Sequence, residues 1–155
     1  MFDTLENANE FINLKNIQMV DLKFCDLWGR WHHVTISKEE FNQNLMDHGI
    51  GFDGSSVGFE SVHSGDMALI PDLSTGFIDI FWDTPTLSFI CNTFIADTKE
   101  LYPEEPREIC RKAERFLQQS NIADESIWGP ELEFYIFSDV KYKNTMNEIS
   151  FVVNS

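Results

Sequence analysis

Between residues 18 and 95, turn residues cut the chain into short alternating or apolar runs, and this punctuation limits the fold more than any other feature. Gln18 to Phe24 alternates, with Val20, Leu22 and Phe24 on one face. Cys25-Asp26-Leu27-Trp28-Gly29 then turns the chain and Trp31 to Ile36 returns, which predicts a hairpin. Met67 to Ile70, Phe77 to Phe81 and Leu87 to Ile95 read as further strands. Helical spacing occurs before and between these runs. Asp3 to Leu14 carries a capping pair, Asp3 with Glu6, and an apolar stripe of Leu5, Ala8, Phe11 and Ile12. Ser37 and Glu40 read as a capping box for a short helix to about His48, closed by Gly49. The pattern predicts a mixed sheet with one or two helices, a compact α+β unit.

Leu101 to Pro106 reads as a junction, and Pro106 suits the first position of a helix. Ile109, Cys110, Ala113, Phe116 and Leu117 keep helical spacing to about Ser120. After a turn at Asn121 to Glu125, Glu131 to Phe137 reads as a strand, Tyr142 to Met146 as a turn and Ile149 to Val153 as another strand. The expected division is one complete domain, residues 1–103, followed by the beginning of a second, residues 104–155, too short to enclose a core. The strand at Ile149 to Val153 is expected to leave an open edge.

Charge narrows the partners. The net charge is −15, and 16 of the 26 acids but only 5 of the 11 bases fall in residues 1–103. Nucleic-acid binding relies on Lys and Arg at phosphates, and anionic membrane surfaces attract the same residues, so both are disfavoured. No run approaches the roughly 20 apolar residues of a membrane helix, and the acidic start is unlike a signal peptide. Cys25, Cys91 and Cys110 are scattered and odd in number, which disfavours a disulfide framework or zinc site and favours a reducing cytoplasm.

Two constellations could carry chemistry. In a strand, Glu131 and Glu133 share a face with Tyr135 and Phe137, their bases about 7 Å apart at about 3.4 Å per residue. Such a pair can flank a divalent ion of the Mg²⁺ type, or simply form the solvent stripe of an amphipathic strand. Phe52-Asp53-Gly54-Ser55-Ser56 is a glycine-bearing loop whose Asp53 could bind a cation or accept a proton, or merely cap an Asx-type turn. His32 and His33 are adjacent and so face opposite sides of a strand, one at the surface and one partly buried, which prevents easy joint chelation. His48 reads as a helix C-terminal cation and His63 as a loop residue. Trp28 and Trp31, flanking the hairpin turn, read as packing or subunit-contact residues.

Taken together, FDGSSVGF, SGDMALIPDLSTGFIDIF, PREICRKAERFL and GPELEFYIF resemble, in order, the N-terminal part of bacterial-type (type I) glutamine synthetase. VDLKFCDLWGRWHHVTI resembles the first hairpin of that family, so the likeness covers about residues 17–155. The resemblance implies an N-terminal β-grasp domain followed by the start of a larger catalytic α/β domain. It implies ATP-dependent ligation of ammonia to L-glutamate through γ-glutamyl phosphate, giving L-glutamine, ADP and phosphate, with two Mg²⁺ or Mn²⁺ ions per site. Glu131 and Glu133 match the metal-ligating glutamates of the family's GPExEF strand. Asp53 matches the aspartate of its DGSS loop, which helps bind ammonium and take its proton, while Ser55 and Ser56 position that loop. Asp66 in SGDM matches a further loop acid of the same site. In the family this loop serves a neighbouring subunit, which implies a homo-oligomer, a dodecamer of two stacked hexameric rings.

Ile80 stands where the family often has Pro, Asn92 where many members have Asp, and Phe59-Glu60 replaces a variable stretch; none of these touches Asp53, Glu131 or Glu133. The chain is expected to be a fragment, inactive by itself, because the family's other metal, nucleotide and glutamate contacts lie beyond Ser155. Two other readings are a related γ-glutamyl amine ligase, disfavoured by the intact Asp53-Gly54-Ser55-Ser56, and a truncated non-catalytic partner of a full-length enzyme.

Overall fold

The computed structural model describes residues 1–59 and 65–155. Glu60 and His63, both given loop roles above, lie outside the described residues. The chain divides into two compact units, Met1–Asp124 and Glu125–Ser155.

The first unit opens with helix α1 (Leu5–Leu14). Its cap is Thr4, whose hydroxyl accepts the Asn7 N–H at 3.2 Å, rather than the predicted Asp3, which stands one position too early. Strands β1 (Met19–Cys25) and β2 (Trp31–Ser37) form the expected antiparallel hairpin, Met19 opposite Ser37 and Cys25 opposite Trp31. Ser37 and Glu40 do not form a capping box; Lys38–Glu40 is a single 3-10 turn with no side-chain cap. Helix α2 (Gln43–His48) is instead capped by Asn42, whose Oδ1 accepts the Asn44 N–H at 2.9 Å. Gly49 ends it at φ +71°, where a Cβ would sit 2.8 Å from the Leu69 carbonyl oxygen.

Strands β3 (Ile50–Asp53), β4 (Asp66–Pro71), β5 (Phe77–Asp79) and β6 (Thr86–Ile95) complete a sheet ordered β2-β1-β6-β4-β3, with β5 also on β6. Strand β6 is the axis. Its first half pairs with β1 in parallel, Val20 opposite Leu87 and Leu22 opposite Phe89. Its other edge takes β5 over Thr86–Ser88 and β4 over Cys91–Ile95, both antiparallel. The sheet is mixed and carries few helices, as the sequence predicts.

One face of this sheet makes the core. Val20, Leu22, Phe24, Leu87, Phe89, Met67 and Leu69 are buried there with Ala8 and Ile12 of α1 and Leu45 of α2. Each large side chain so buried contributes roughly 1.5–3 kcal/mol. The same β1 strand turns Asp21 and Lys23 to the opposite face. Asp21, fully buried, takes hydrogen bonds from Thr35 Oγ1 at 2.7 Å and pairs with His33 Nδ1 at 2.7 Å and Lys23 Nζ at 3.0 Å. Lys23 Nζ also reaches Asp79 at 2.9 Å, and Asp79 accepts from Ser88 Oγ at 3.2 Å. Burial alone would raise the Asp21 carboxyl, but Thr35, His33 and Lys23 outweigh it and hold it below the usual carboxylate range. His33 is exposed and His32 half-buried, on opposite faces as expected.

Helix α3 (Pro106–Gln119) begins at the expected proline and lies within the first unit. Arg107 donates to Asp72 Oδ2 at 2.8 Å and Asn92 Oδ1 at 2.9 Å, and Arg111 donates to Asn92 Oδ1 at 2.8 Å. Its apolar face carries Ile109 and Phe116 exposed.

The second unit holds one hairpin, β7 (Asp139–Thr145) and β8 (Glu148–Asn154), with Tyr142 opposite Phe151. Tyr142 thus lies mid-strand, not in the predicted turn, which shrinks to Met146-Asn147. The polar residues Lys141, Lys143 and Asn144 hide this strand from a reading based on apolar alternation. The predicted strand Glu131–Phe137 forms no ladder: no described strand pairs with it, and its side chains are exposed. Strand periodicity survives at its end, where the Tyr135 and Phe137 rings stack at 6.0 Å and 8°.

One buried acid sets a pH dependence. Glu105, 1% exposed, has no hydrogen-bond partner at either carboxylate oxygen among the described residues. Burial pushes its carboxyl up to about 7, against weaker pulls from the Thr93 backbone, Arg107 and Arg111, and with a small push from Glu108. The folded value exceeds the unfolded one, so the contribution of Glu105 to stability is full below about pH 4.5 and declines until about pH 7. The loss attributable to Glu105 is about 3 kcal/mol. Glu105→Gln is expected to flatten this decline in urea unfolding measured from pH 4.5 to 8; an unchanged slope would show that the carboxyl is not desolvated.

Candidate functional site

Strand β3 ends at Asp53 and β4 begins at Asp66, and the ladder places these two residues directly opposite each other. Both are exposed. Opposite residues of an antiparallel pair hold their Cβ atoms about 4.5–5.5 Å apart, and like charges there repel. No ion pair neutralises either acid among the described residues. The arrangement therefore offers two carboxylates to one small cation.

The turn beyond Asp53 is built from its own polar groups. Asp53 Oδ1 accepts the Ser55 N–H at 2.9 Å, and Ser56 Oγ donates to the Asp53 carbonyl at 2.7 Å. These bonds shape Gly54–Val57 into a 3-10 turn ending at Gly58, φ +76°. Gly54 is buried, and a Cβ there would lie 2.7 Å from Met67 Sδ. Its N–H reaches the Gly65 carbonyl at 2.6 Å, extending the β3–β4 pairing one step past Asp53. Trp28 of the first hairpin lies against Gly58, so this tryptophan packs on the turn. The Ser55 hydroxyl and backbone N–H hold the Asp53 carboxyl below the usual range, which keeps it ionised and suited to a cation.

Glu131 and Glu133 belong to the second unit, in the unpaired segment before β7. Both are exposed, and neither enters a hydrogen bond or ion pair among the described residues. As hard oxygen donors two residues apart they suit Mg²⁺ or Mn²⁺, but two carboxylates are not a complete ligand set. Among the described residues, no group of three or more His, Cys, Asp and Glu is placed to hold a metal. The structure thus brings Asp53 and Asp66 together, and the two glutamates form a separate pair.

Residues 16–95 match the family described as the glutamine synthetase β-grasp domain. The chain belongs to this family. Relatives of the chain include glutamine synthetase of Frankia alni, 43% identical over 145 residues, covering 92% of this chain and 30% of the relative. Glutamine synthetase of Mycolicibacterium smegmatis is 40% identical over 155 residues, covering 98% of this chain and 32% of the relative. The chain therefore spans about a third of the length of these curated relatives. A cryo-EM structure of Plasmodium falciparum glutamine synthetase shares the fold, with TM-score 0.73 and 22% identity over 99% of this chain and 30% of that one. The Asp53 turn and β4 both lie inside the matched β-grasp segment.

Sequence motifs single out Asp53 and Asp66 but not their pairing, because apolar spacing marks a strand from Met67 whereas β4 begins one residue earlier, at Asp66. Phe59, part of a variable stretch by sequence, is buried beneath the turn against Tyr102, a long-range contact that no local pattern signals. Two acids flanking a glycine- and serine-rich stretch of sequence are the available signal for the pairing. Because facing carboxylates repel, Asp66→Asn is expected to raise the urea midpoint of the metal-free chain at neutral pH and low salt. A lowered midpoint would mean that Asp66 is instead held by a favourable contact.

Proposed function

We propose that this chain is the N-terminal part of a glutamine synthetase, an ATP-dependent glutamate–ammonia ligase. In this reading residues 1–103 form the β-grasp domain and residues 104–155 belong to the beginning of the catalytic domain. The observation that carries the proposal is the Asp53–Asp66 pair facing across the β3–β4 ladder within a glutamine synthetase β-grasp domain. Ammonium is a small cation with several donors, and paired ionised carboxylates supply both charge and acceptors. Asp53 holds ammonium and takes one of its protons, and Asp66 shares the cation. The ammonia released attacks the carbonyl carbon of γ-glutamyl phosphate, phosphate leaves, and L-glutamine forms.

Glu131 and Glu133 are the residues of this chain that would hold Mg²⁺ or Mn²⁺. The ions would supply charge neutralisation for the phosphates of ATP. The remaining ligands, and the contacts to ATP and L-glutamate, come from outside this chain, and by itself it is proposed to be inactive. The exposed β3–β4 end suits a site shared between subunits of a homo-oligomer, a dodecamer by the resemblance. The three scattered cysteines support a cytoplasmic setting for this reading.

The test uses the full-length protein carrying this segment. Asp53→Asn should raise the ammonium concentration needed for half-maximal rate about tenfold, the weight of one charge-assisted hydrogen bond, and leave the Mg²⁺ requirement unchanged. An unaltered ammonium curve would remove Asp53 from the role. Glu131→Ala and Glu133→Ala should instead shift the Mg²⁺ dependence and nearly abolish turnover; a superimposable Mg²⁺ titration would refute the metal assignment.

A further inference from the structure

The Asp53 turn is anchored from below by a residue 49 positions away in sequence. Tyr102 is 2% exposed, and its hydroxyl donates to the carbonyl oxygen of Phe59. Its ring lies 5.2 Å from that of Phe59, which is 4% exposed and also packs against Phe24 at 6.2 Å and Phe52 at 6.4 Å. The Phe59 N–H donates to the Gly54 carbonyl at 3.0 Å, closing the turn on the residue next to Asp53. Tyr102 is itself fixed, since its N–H donates to the Thr93 carbonyl of β6 at 2.9 Å. A continuous path of hydrogen bonds thus runs from the central strand through Tyr102 and Phe59 to Gly54.

We propose that Tyr102 is a positioning residue for Asp53, holding the turn whose Ser55 groups orient the carboxylate. The functional meaning rests on the reading of Asp53 as the ammonium ligand; the positioning itself does not. Packing of the ring alone would only fill space beneath Phe59. The hydroxyl additionally fixes the height of the Phe59 backbone, and through it the carbonyl that closes the turn. Glu104 Oε2 also lies 3.3 Å from the same hydroxyl. Removing the hydroxyl while keeping the ring leaves the Phe59 carbonyl without its donor and frees the turn. The charged neighbour facing Asp53 across the ladder is Asp66, and no basic side chain pairs with Asp53 among the described residues.

The test compares the 155-residue chain with its Tyr102→Phe variant by NMR. Carboxyl ¹³C titration reads Asp53, with the buried Asp21 as internal reference, and amide hydrogen exchange at neutral pH reads Ser55 and Phe59. The expected result is that Asp53 titrates at higher pH in the variant, with faster exchange at Ser55 and Phe59 and an unmoved Asp21. Unchanged Asp53 titration and exchange would overturn the proposal. So would a parallel shift of Asp21, which would show general loosening of the fold. The readout contains no ammonium, so its failure is distinguishable from failure of the ammonium reading in the full-length protein.

Discussion

Strand β6 must satisfy hydrogen-bonding groups along both edges of ten residues, and most of the first unit follows from how it does so. One edge is taken over Thr86–Ile90 by β1 in parallel, which cannot be reached by a tight turn and so requires the intervening chain to travel away and return. The other edge is divided between β5 and β4. That division sets where β4 ends, and β4 in turn sets the register of β3, which brings Asp53 opposite Asp66. The backbone of β6 also holds Tyr102 at Thr93, beneath the same turn. The candidate site is therefore an extension of the central strand's pairing rather than an independent loop.

The two faces of the sheet stabilise in different ways. The inner face is a continuous apolar core in which Phe89 stacks on Phe41 at 5.0 Å. The outer face carries Asp21, Lys23 and Asp79 as an alternating ionic row supported by Thr35, His33 and Ser88. A fully buried carboxylate such as Asp21 is tolerable only with this many partners, and removing one leaves a charge without compensation. Glu105 is the counter-example in the same unit, a buried acid at the entry to α3 whose burial outweighs the weak pulls of its neighbours. Asp53 differs from both, being exposed and held ionised by local donors.

Much of the first unit was legible because period-two alternation and its bounding turns directly report strands with one buried face. Val20, Leu22 and Phe24 gave β1, and Gly29 marked its return. Caps were less legible because Thr4 and Asn42 compete with nearby Asp3 and Ser37 of similar chemistry, and only geometry chooses between them. The second unit is less legible in the sequence for two opposite reasons. Strand β7 is polar by composition and exists through its pairing with β8, whereas Glu131–Phe137 has strand composition but no described partner. At the site, Asp53 and Asp66 could be named from motifs. Their register, and the contact of Tyr102 with Phe59, depend on long-range pairing that no local pattern encodes.

The central claim is that Asp53 and Asp66 act as one cation-binding unit because the β3–β4 ladder sets them face to face. A double-mutant cycle in the full-length protein tests it most directly, with Asp53→Asn, Asp66→Asn and the double variant compared by the ammonium concentration giving half-maximal rate. If the acids share one cation, the double variant will be little worse than the more impaired single variant. Strictly additive effects in free energy would contradict the account, placing the two carboxylates at separate tasks.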